Sequence, residues 1–239
     1  MNPAPLRRVL YPRPMRYAAA LPAALLAAAT LSAQVTTVDE GRFIISRAGQ
    51  RIGTEDFLIR RQASPGGDVL VAQATVAFDD RRLSPALRAD STGAPLAYQV
   101  QVKVGSEVQE HLSGRIGRGR FSAQLRTPRG ESAKEYIVAD GALVLDDDVF
   151  HQYYFLGRSD RTGSVPVVIP RRNAQVTMRV QAQGSEQVAI GGAQVSARQL
   201  LLTEPDGSAR RVWLDSMGRV LKVSLDGSGI VATRDEVPH

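Results

Sequence analysis

Residues 95–104 read Pro95-Leu96-Ala97-Tyr98-Gln99-Val100-Gln101-Val102-Lys103-Val104. Leu96, Tyr98, Val100, Val102 and Val104 alternate with Ala97, Gln99, Gln101 and Lys103. In an extended chain the first set faces a core and the second faces water. The same period of two recurs outward from this stretch. Phe121, Ala123 and Leu125 alternate with Ser122, Gln124 and Arg126; Val176, Met178, Val180 and Ala182 alternate with Gln175, Thr177, Arg179 and Gln181. Turn signals punctuate the runs: Ala48-Gly49, Pro65-Gly66-Gly67-Asp68, Gly117-Arg118-Gly119, Asp140-Gly141, Gly191-Gly192 and Pro205-Asp206-Gly207. About a dozen short strands between Arg42 and Arg234 follow from this spacing, and they predict an all-β, mainly antiparallel fold: a barrel or strongly curved sheet.

One segment departs from the pattern. Residues 146–157, DDDVFHQYYFLG, open on three acids and close on glycine, with Val149, Tyr153 and Leu156 spaced for one helical face. Asp suits a helix start and Gly its end. The spacing predicts a single short central helix over 146–157. After it, Val165-Pro166-Val167-Val168-Ile169-Pro170 reads as an edge strand or connector, because proline cannot donate to a ladder.

The first 33 residues are of another kind. Residues 17–33, YAAALPAALLAAATLSA, are apolar, uncharged and rich in small residues, and Arg16 precedes them. This is the pattern of a secretory signal peptide. It predicts a signal over 1–33, a mature single β-rich domain over 34–239, and a periplasmic or extracellular location. Met15 offers a second start. The chain has 239 residues, 30 Lys and Arg against 24 Asp and Glu, and no Cys. Disulfides, thiolate chemistry, iron–sulfur clusters and Cys-bound zinc are thereby excluded. Four basic residues, Arg7, Arg8, Arg13 and Arg16, lie in the acid-free first 33, so the mature balance is 26 against 24. That near-neutral domain carries no strong nucleic-acid footprint, and no later run is long and apolar enough to span a membrane as a helix.

Catalytic signatures are absent: no G-x-S-x-G, no H-E-x-x-H and no phosphate loop. Asp146, Asp147, Asp148 and His151 form the densest set of metal-ligating residue types, with Asp147 and His151 one helical turn apart. An exposed acidic first turn explains them as well, and neither a metal nor another cofactor is expected. Four of the 13 aromatic residues, Phe150, Tyr153, Tyr154 and Phe155, fall within six positions. They would line an apolar pocket at the mouth of the sheet, with Tyr154 or Phe155 exposed, or pack the core. Glu110 shares the alternation of Val108, Leu112 and Ile116. It would point inward and orient a ligand's polar head, unless a bulge near Gly105 or Gly114 turns it out and His111 in. Trp213 is expected to be buried. Asp90-Ser91-Thr92-Gly93-Ala94-Pro95-Leu96 and Asp215-Ser216-Met217-Gly218-Arg219-Val220-Leu221 share D-S-x-G-x-x-L. They mark either two related halves or one hairpin turn used twice, and local turn chemistry favours the latter.

The stretch E-Q-V-A-I-G-G-A-Q-V-S-A-R-Q-L-L-L (186–202), followed by V-W-L-D-S-M-G-R-V-L-K-V (212–223), resembles exported bacterial proteins of the domain-of-unknown-function family 3108. Residues 41–57 look like that family's opening hairpin, so the likeness covers most of 41–234. It implies an antiparallel envelope protein and transfers no catalytic residue. The architecture is more distantly similar to the periplasmic lipoprotein-carrier half-barrels. The function expected is non-catalytic: binding or carrying a lipid or other apolar small molecule. A scaffolding module that binds an envelope protein is the alternative, and a hydrolase with an unrecognised site the second. Sequencing the N-terminus of the exported protein should begin within a few residues of Gln34; a retained Met1 or Met15 would refute cleavage.

Overall fold

The computed structural model describes Met1 and residues 35–239. The expected signal peptide and the Gln34 start lie, apart from Met1, outside the described residues. Fifteen strands follow in chain order: β1 (Val35–Arg47), β2 (Gln50–Gln62), β3 (Val69–Phe78), β4 (Arg81–Asp90), β5 (Pro95–Val104), β6 (Glu107–Gly117), β7 (Arg120–Thr127), β8 (Gly130–Ile137), β9 (Leu143–Val144), β10 (Gly163–Ile169), β11 (Ala174–Ile190), β12 (Ala193–Thr203), β13 (Ala209–Leu214), β14 (Val220–Leu225) and β15 (Ile230–Arg234). Among the described residues one helix, α1 (Tyr153–Ser159), lies between β9 and β10, and one 3-10 turn, Pro170–Arg172, follows β10.

All the strands join one sheet in the order β8-β7-β6-β5-β4-β3-β2-β1-β15-β14-β13-β12-β11-β10-β9. Every pairing is antiparallel except β9 with β10. The first and last strands meet in the middle, Phe43 opposite Arg234. The two edges, β8 and β9, are consecutive in the chain, and no ladder closes them. Of the two forms expected, a barrel or a strongly curved sheet, the chain takes the second: the sheet is open. It is strongly curved, because its buried face forms one core with side chains from both arms, Leu87 and Phe121 on one and Met178 and Val212 on the other.

The alternation within β5 places Tyr98, Val100 and Val102 in that core. Two bulges break it. Leu96 is the extra residue where Arg88 pairs with Ala97 and Ala89 with Pro95, and it is turned out. Gln109 is the extra residue where Val102 pairs with Glu110 and Lys103 with Val108, so Val108 is exposed rather than inward. Pro166 sits opposite Thr177 of β11, while β9 reaches only Val167 and Val168. That half of β10 behaves as an edge, as its prolines require.

The helix differs from expectation at both ends. Asp146–Asp148 precede it, and its N-cap, Gln152, makes no side-chain cap. The amides of Tyr153, Tyr154 and Phe155 instead donate to the carbonyls of Phe150, His151 and Gln152, so no acid is needed there. Gly157 lies inside α1, and Asp160 ends it in the left-handed region. Both D-S-x-G turns come to this end of the helix. Gly157 packs on the Gly218 carbonyl, and a Cβ on Gly93 would stand 3.6 Å from the Phe155 ring.

Trp213 is buried, at 6% exposure, but on the outer face. There it joins Val188, Ile190, Ala197 and Leu221 in a second small cluster. Its indole N–H donates to Glu186, and the Lys222 ammonium lies 4.6 Å from the ring centroid.

Ala in place of Gly ordinarily favours a helix by about 1 kcal/mol. At 157 the added methyl would collide with the Gly218 carbonyl oxygen. Gly157→Ala should therefore lower stability by about 1–3 kcal/mol in urea melts; a gain would show that this contact is loose.

Candidate functional site

The segment 146–156 enters the concave side of the sheet, and three carboxylates fasten it there. Glu55 of β2 lies on the same face as Phe57 and Ile59 and is wholly buried. Its Oε2 accepts the amide of Phe150 at 2.7 Å, and its Oε1 that of His151 at 2.8 Å. Oε1 also accepts His151 Nδ1–H at 2.5 Å. The imidazole stacks on Phe57, 6.0 Å between centroids, and the Arg234 guanidinium lies over the other ring, 5.1 Å away. Arg234 forms a buried pair with Asp39, 2.6 Å from Nη2 to Oδ1. Burial raises the Asp39 carboxyl, and Arg234 opposes that rise.

Asp146 is the second fastening. Its Oδ2 accepts from the Tyr98 hydroxyl at 2.7 Å and from Arg171 Nε at 3.0 Å, and its amide donates to Gln152 Oε1 at 2.7 Å. Burial raises its pKa despite Arg171, and burial with Asp146 alongside pushes the Tyr98 hydroxyl well above its usual value. Glu204 is the third. It holds Arg210, whose Nη1 donates to the Tyr153 hydroxyl at 2.9 Å. Arg172 bridges Asp147, at 2.6 and 2.8 Å, to Glu204 at 2.9 Å. Asp148 lies 3.6 Å from both Arg81 and Arg171.

The three acids, which an exposed helix start was expected to explain, are therefore ion-pair partners of Arg81, Arg171 and Arg172, and His151 is a hydrogen-bond partner of Glu55. Asp147 and His151 do not share a helical face: Asp147 meets Arg172, and His151 meets Glu55. Two atoms of this segment, His151 Nε2 and Gln152 Nε2, are buried without a hydrogen-bond partner among the described residues.

Phe150, Tyr153, Tyr154 and Phe155 are all at most 4% exposed. The expectation that Tyr154 and Phe155 would be exposed at a mouth is corrected. Both are packed in the core, 5.6 Å apart edge to face, because Tyr153–Gly157 of the helix are buried against the curve of the sheet. Glu110 is half-buried and faces inward with Val102 and Leu112. Arg171, Asp146 and Arg81 are close enough to act on its charge. His111 faces outward, in a shallow depression with Gln101, Val108 and Arg126.

The larger depressions are on the outside. One of about 1060 Å³ lies at the end of α1, between the turns at 91–92 and 215–219, the β11–β12 arm and Val237-Pro238. A second, of about 470 Å³, lies between the start of β1 and residues 234–239. Sequence reasoning missed Glu55, Asp39, Arg171, Arg210 and Arg234. For Glu55 the signal was present, as a lone acid on the stripe Glu55-Phe57-Ile59.

No family model matches the chain, and no curated protein matches it. The likeness to family 3108 is thus not confirmed. A crystal structure of a beta-barrel-like protein of domain of unknown function DUF1849 from Brucella abortus superposes with a TM-score of 0.58. The match covers 86% of this chain and 98% of that one at 10% identity. At that identity the likeness concerns the fold alone, and it indicates no enzyme family. Among the described residues no helix is long and apolar enough to cross a membrane.

Burial raises the Glu110 carboxyl, against the lowering pull of Arg171 and Arg81. A raised folded pKa gives stability that is full below the unfolded value, about 4.3, and is lost as pH rises through the folded one. Glu110→Gln should therefore flatten the stability profile between about pH 4 and 7, the variant gaining on the wild type as pH rises. Urea melts at both pH values test this; an equal change at both would assign Glu110 to packing alone.

Proposed function

We propose that the chain is an exported, non-catalytic binding module of the cell envelope, and that its partners are proteins rather than carried lipids. The observation that carries this reading is the filled interior. The concave side of the sheet holds α1, whose aromatics are buried, and a network in which Glu55 and His151 are wholly inaccessible. An apolar cargo would have to displace that helix and break three sets of buried charge-assisted hydrogen bonds, each costly to leave unmade. The same inaccessibility argues against a hydrolase centred on Glu55 and His151, since neither substrate nor water has a path to them. What remains open to a partner is the outer surface, where the depressions are of mixed polarity and lined by turns and strand ends. Export rests on the signal pattern of residues 17–33.

Native mass spectrometry of the protein purified from its own envelope, with titration of a fluorescent fatty acid, tests the reading. A retained protein and no saturable probe binding are expected. A retained lipid, or saturable binding lost on Phe155→Ala, would return the chain to the carriers.

A further inference from the structure

We propose that the far end of the β11–β12 hairpin is an exchangeable arm, and that two copies of this chain pair by each laying its arm on the outer face of the other. The partner is a second copy, and the inference stands whether or not other proteins bind.

The arm is a ribbon that leaves the sheet. β11 pairs with β10 only as far as Val180, and β12 pairs with β13 only from Arg198. Beyond both limits, from Glu186 opposite Ala197 to Ile190 opposite Ala193, the two strands pair only with each other among the described residues. A two-stranded ribbon is marginal on its own in water, so it needs a seat. The ladder places Glu186, Val188 and Ile190 on one face with Ala193, Val195 and Ala197. That face folds onto the outside of the sheet, where Val188, Ile190 and Ala197 close over Trp213 and Leu221. Glu186 accepts the indole N–H. The tip comes down beside residues 235–236, since a Cβ on Gly191 would stand 3.1 Å from the Asp235 oxygen. The opposite face, with Ser185, Gln187, Ala189, Gln194 and Ser196, is exposed. None of the five apolar residues in this seat belongs to the main core, so the arm can leave without opening it.

A hinge joins the arm to the body. Gln183 is the extra residue between Ala182, opposite Leu200, and Gly184, opposite Gln199. This bulge moves the even-numbered side chains of β11 from the inner face, where Met178 and Val180 lie, to the outer one. Gly184 has a φ of +101°, which glycine alone adopts readily, and a Cβ there would meet no atom within 4 Å. The bend is therefore set by backbone conformation and not by packing against it. Straightening it frees the arm as a unit, because the ribbon has no other ladder to break.

A seat that fits the chain's own arm fits the arm of an identical copy through the same contacts. Exchange therefore costs little beyond the hinge, and the tether is what favours the single chain. An arm attached to its own body competes at an effective concentration on the order of millimolar. Raising the chain to that level, or making the bent hinge unfavourable, tips the balance towards exchange. The larger depression would then be completed across two copies, since Ser185, Val195 and Ser196 of the arm form one of its walls.

The chain's one Trp lies in the seat, which gives the test a specific readout. Light scattering on the purified protein should find monomer at micromolar concentration and a dimer fraction at several millimolar. Gly184→Ala, strained when bent, should dimerise at a concentration at least about tenfold lower. In that dimer Trp213 should stay as shielded from acrylamide as in the monomer, because another copy's arm covers it. Ile190→Asp, which spoils the seat, should be monomeric at every concentration, with Trp213 open to the quencher. A monomeric Gly184→Ala, a dimer in which Trp213 is open to the quencher, or a dimer that Ile190→Asp forms equally well would each overturn the proposal. If Gly184→Ala does not fold, the wild-type protein decides: no dimer at several millimolar overturns it as well.

Discussion

The structure depends on what happens to the carboxylate of Glu55. An unpaired carboxylate with no solvent exposure would cost several kcal/mol. Here it receives two backbone amides and an imidazole N–H, all from residues 95 and 96 positions later in the chain. Those amides would themselves be orphaned in an apolar interior. Each partner is tolerable only because of the other, and that mutual need places the 146–156 segment within the curve of the sheet. Once it is there, Asp146 meets Tyr98 and Arg171, and Tyr153 meets Arg210. The apolar side chains of α1 then fill the space around which both arms of the sheet close.

That filling explains why fifteen strands can stop short of a barrel. Closure removes free edges, but here the interior is sealed by a helix instead, and the edges are managed separately. β9 is two residues long and buried. β8 is longer and carries charge: Glu131 and Glu135 pair with Arg126 and Arg120 of β7, while Lys134 falls on the inward row with Gly114 and Ala123. Charges on an edge, and an inward lysine above all, discourage a further strand from adding. A chain that uses its surface for binding is therefore better served by its turns and strand ends than by this edge.

The strands were legible because a two-residue period survives in any half-buried sheet. Tyr98, Val100, Val102, Phe121 and Met178 all face the core as their alternation requires. Leu96 and Val108 did not, since a bulge inserts one residue and inverts the face beyond it; Gly105 allowed for one in β6, but nothing in the sequence fixes its place at Gln109 or marks the one at Leu96. The helix was legible as an interruption but not in its limits. Asp146–Asp148 resemble a capping run, and only the distant Arg171 and Arg172 show them to be ion-pair partners. The aromatics read as a mouth or as core by sequence, and burial decides for core. Glu55 was within reach of the reasoning applied to Glu110, as an acid in step with Phe57 and Ile59. Its partners were not, because they lie in a loop whose path follows from tertiary packing.

The twin D-S-x-G turns carry the last distinction. In both, the aspartate Oδ1 accepts the amides two and four residues on: Thr92 and Ala94 in one, Met217 and Arg219 in the other. This is the local chemistry that makes such a turn recur without common descent. Yet the two copies are not scattered, for they flank the same end of α1 and border the same depression. A difference that matters is at the fifth position. Ala94 offers nothing beyond its amide, whereas Arg219 turns back onto its own aspartate and reaches out to the His239 carbonyl. One turn is a seat for the helix alone. The other has the same seat with a guanidinium added, and it is on that side of α1 that the chain holds an additional segment.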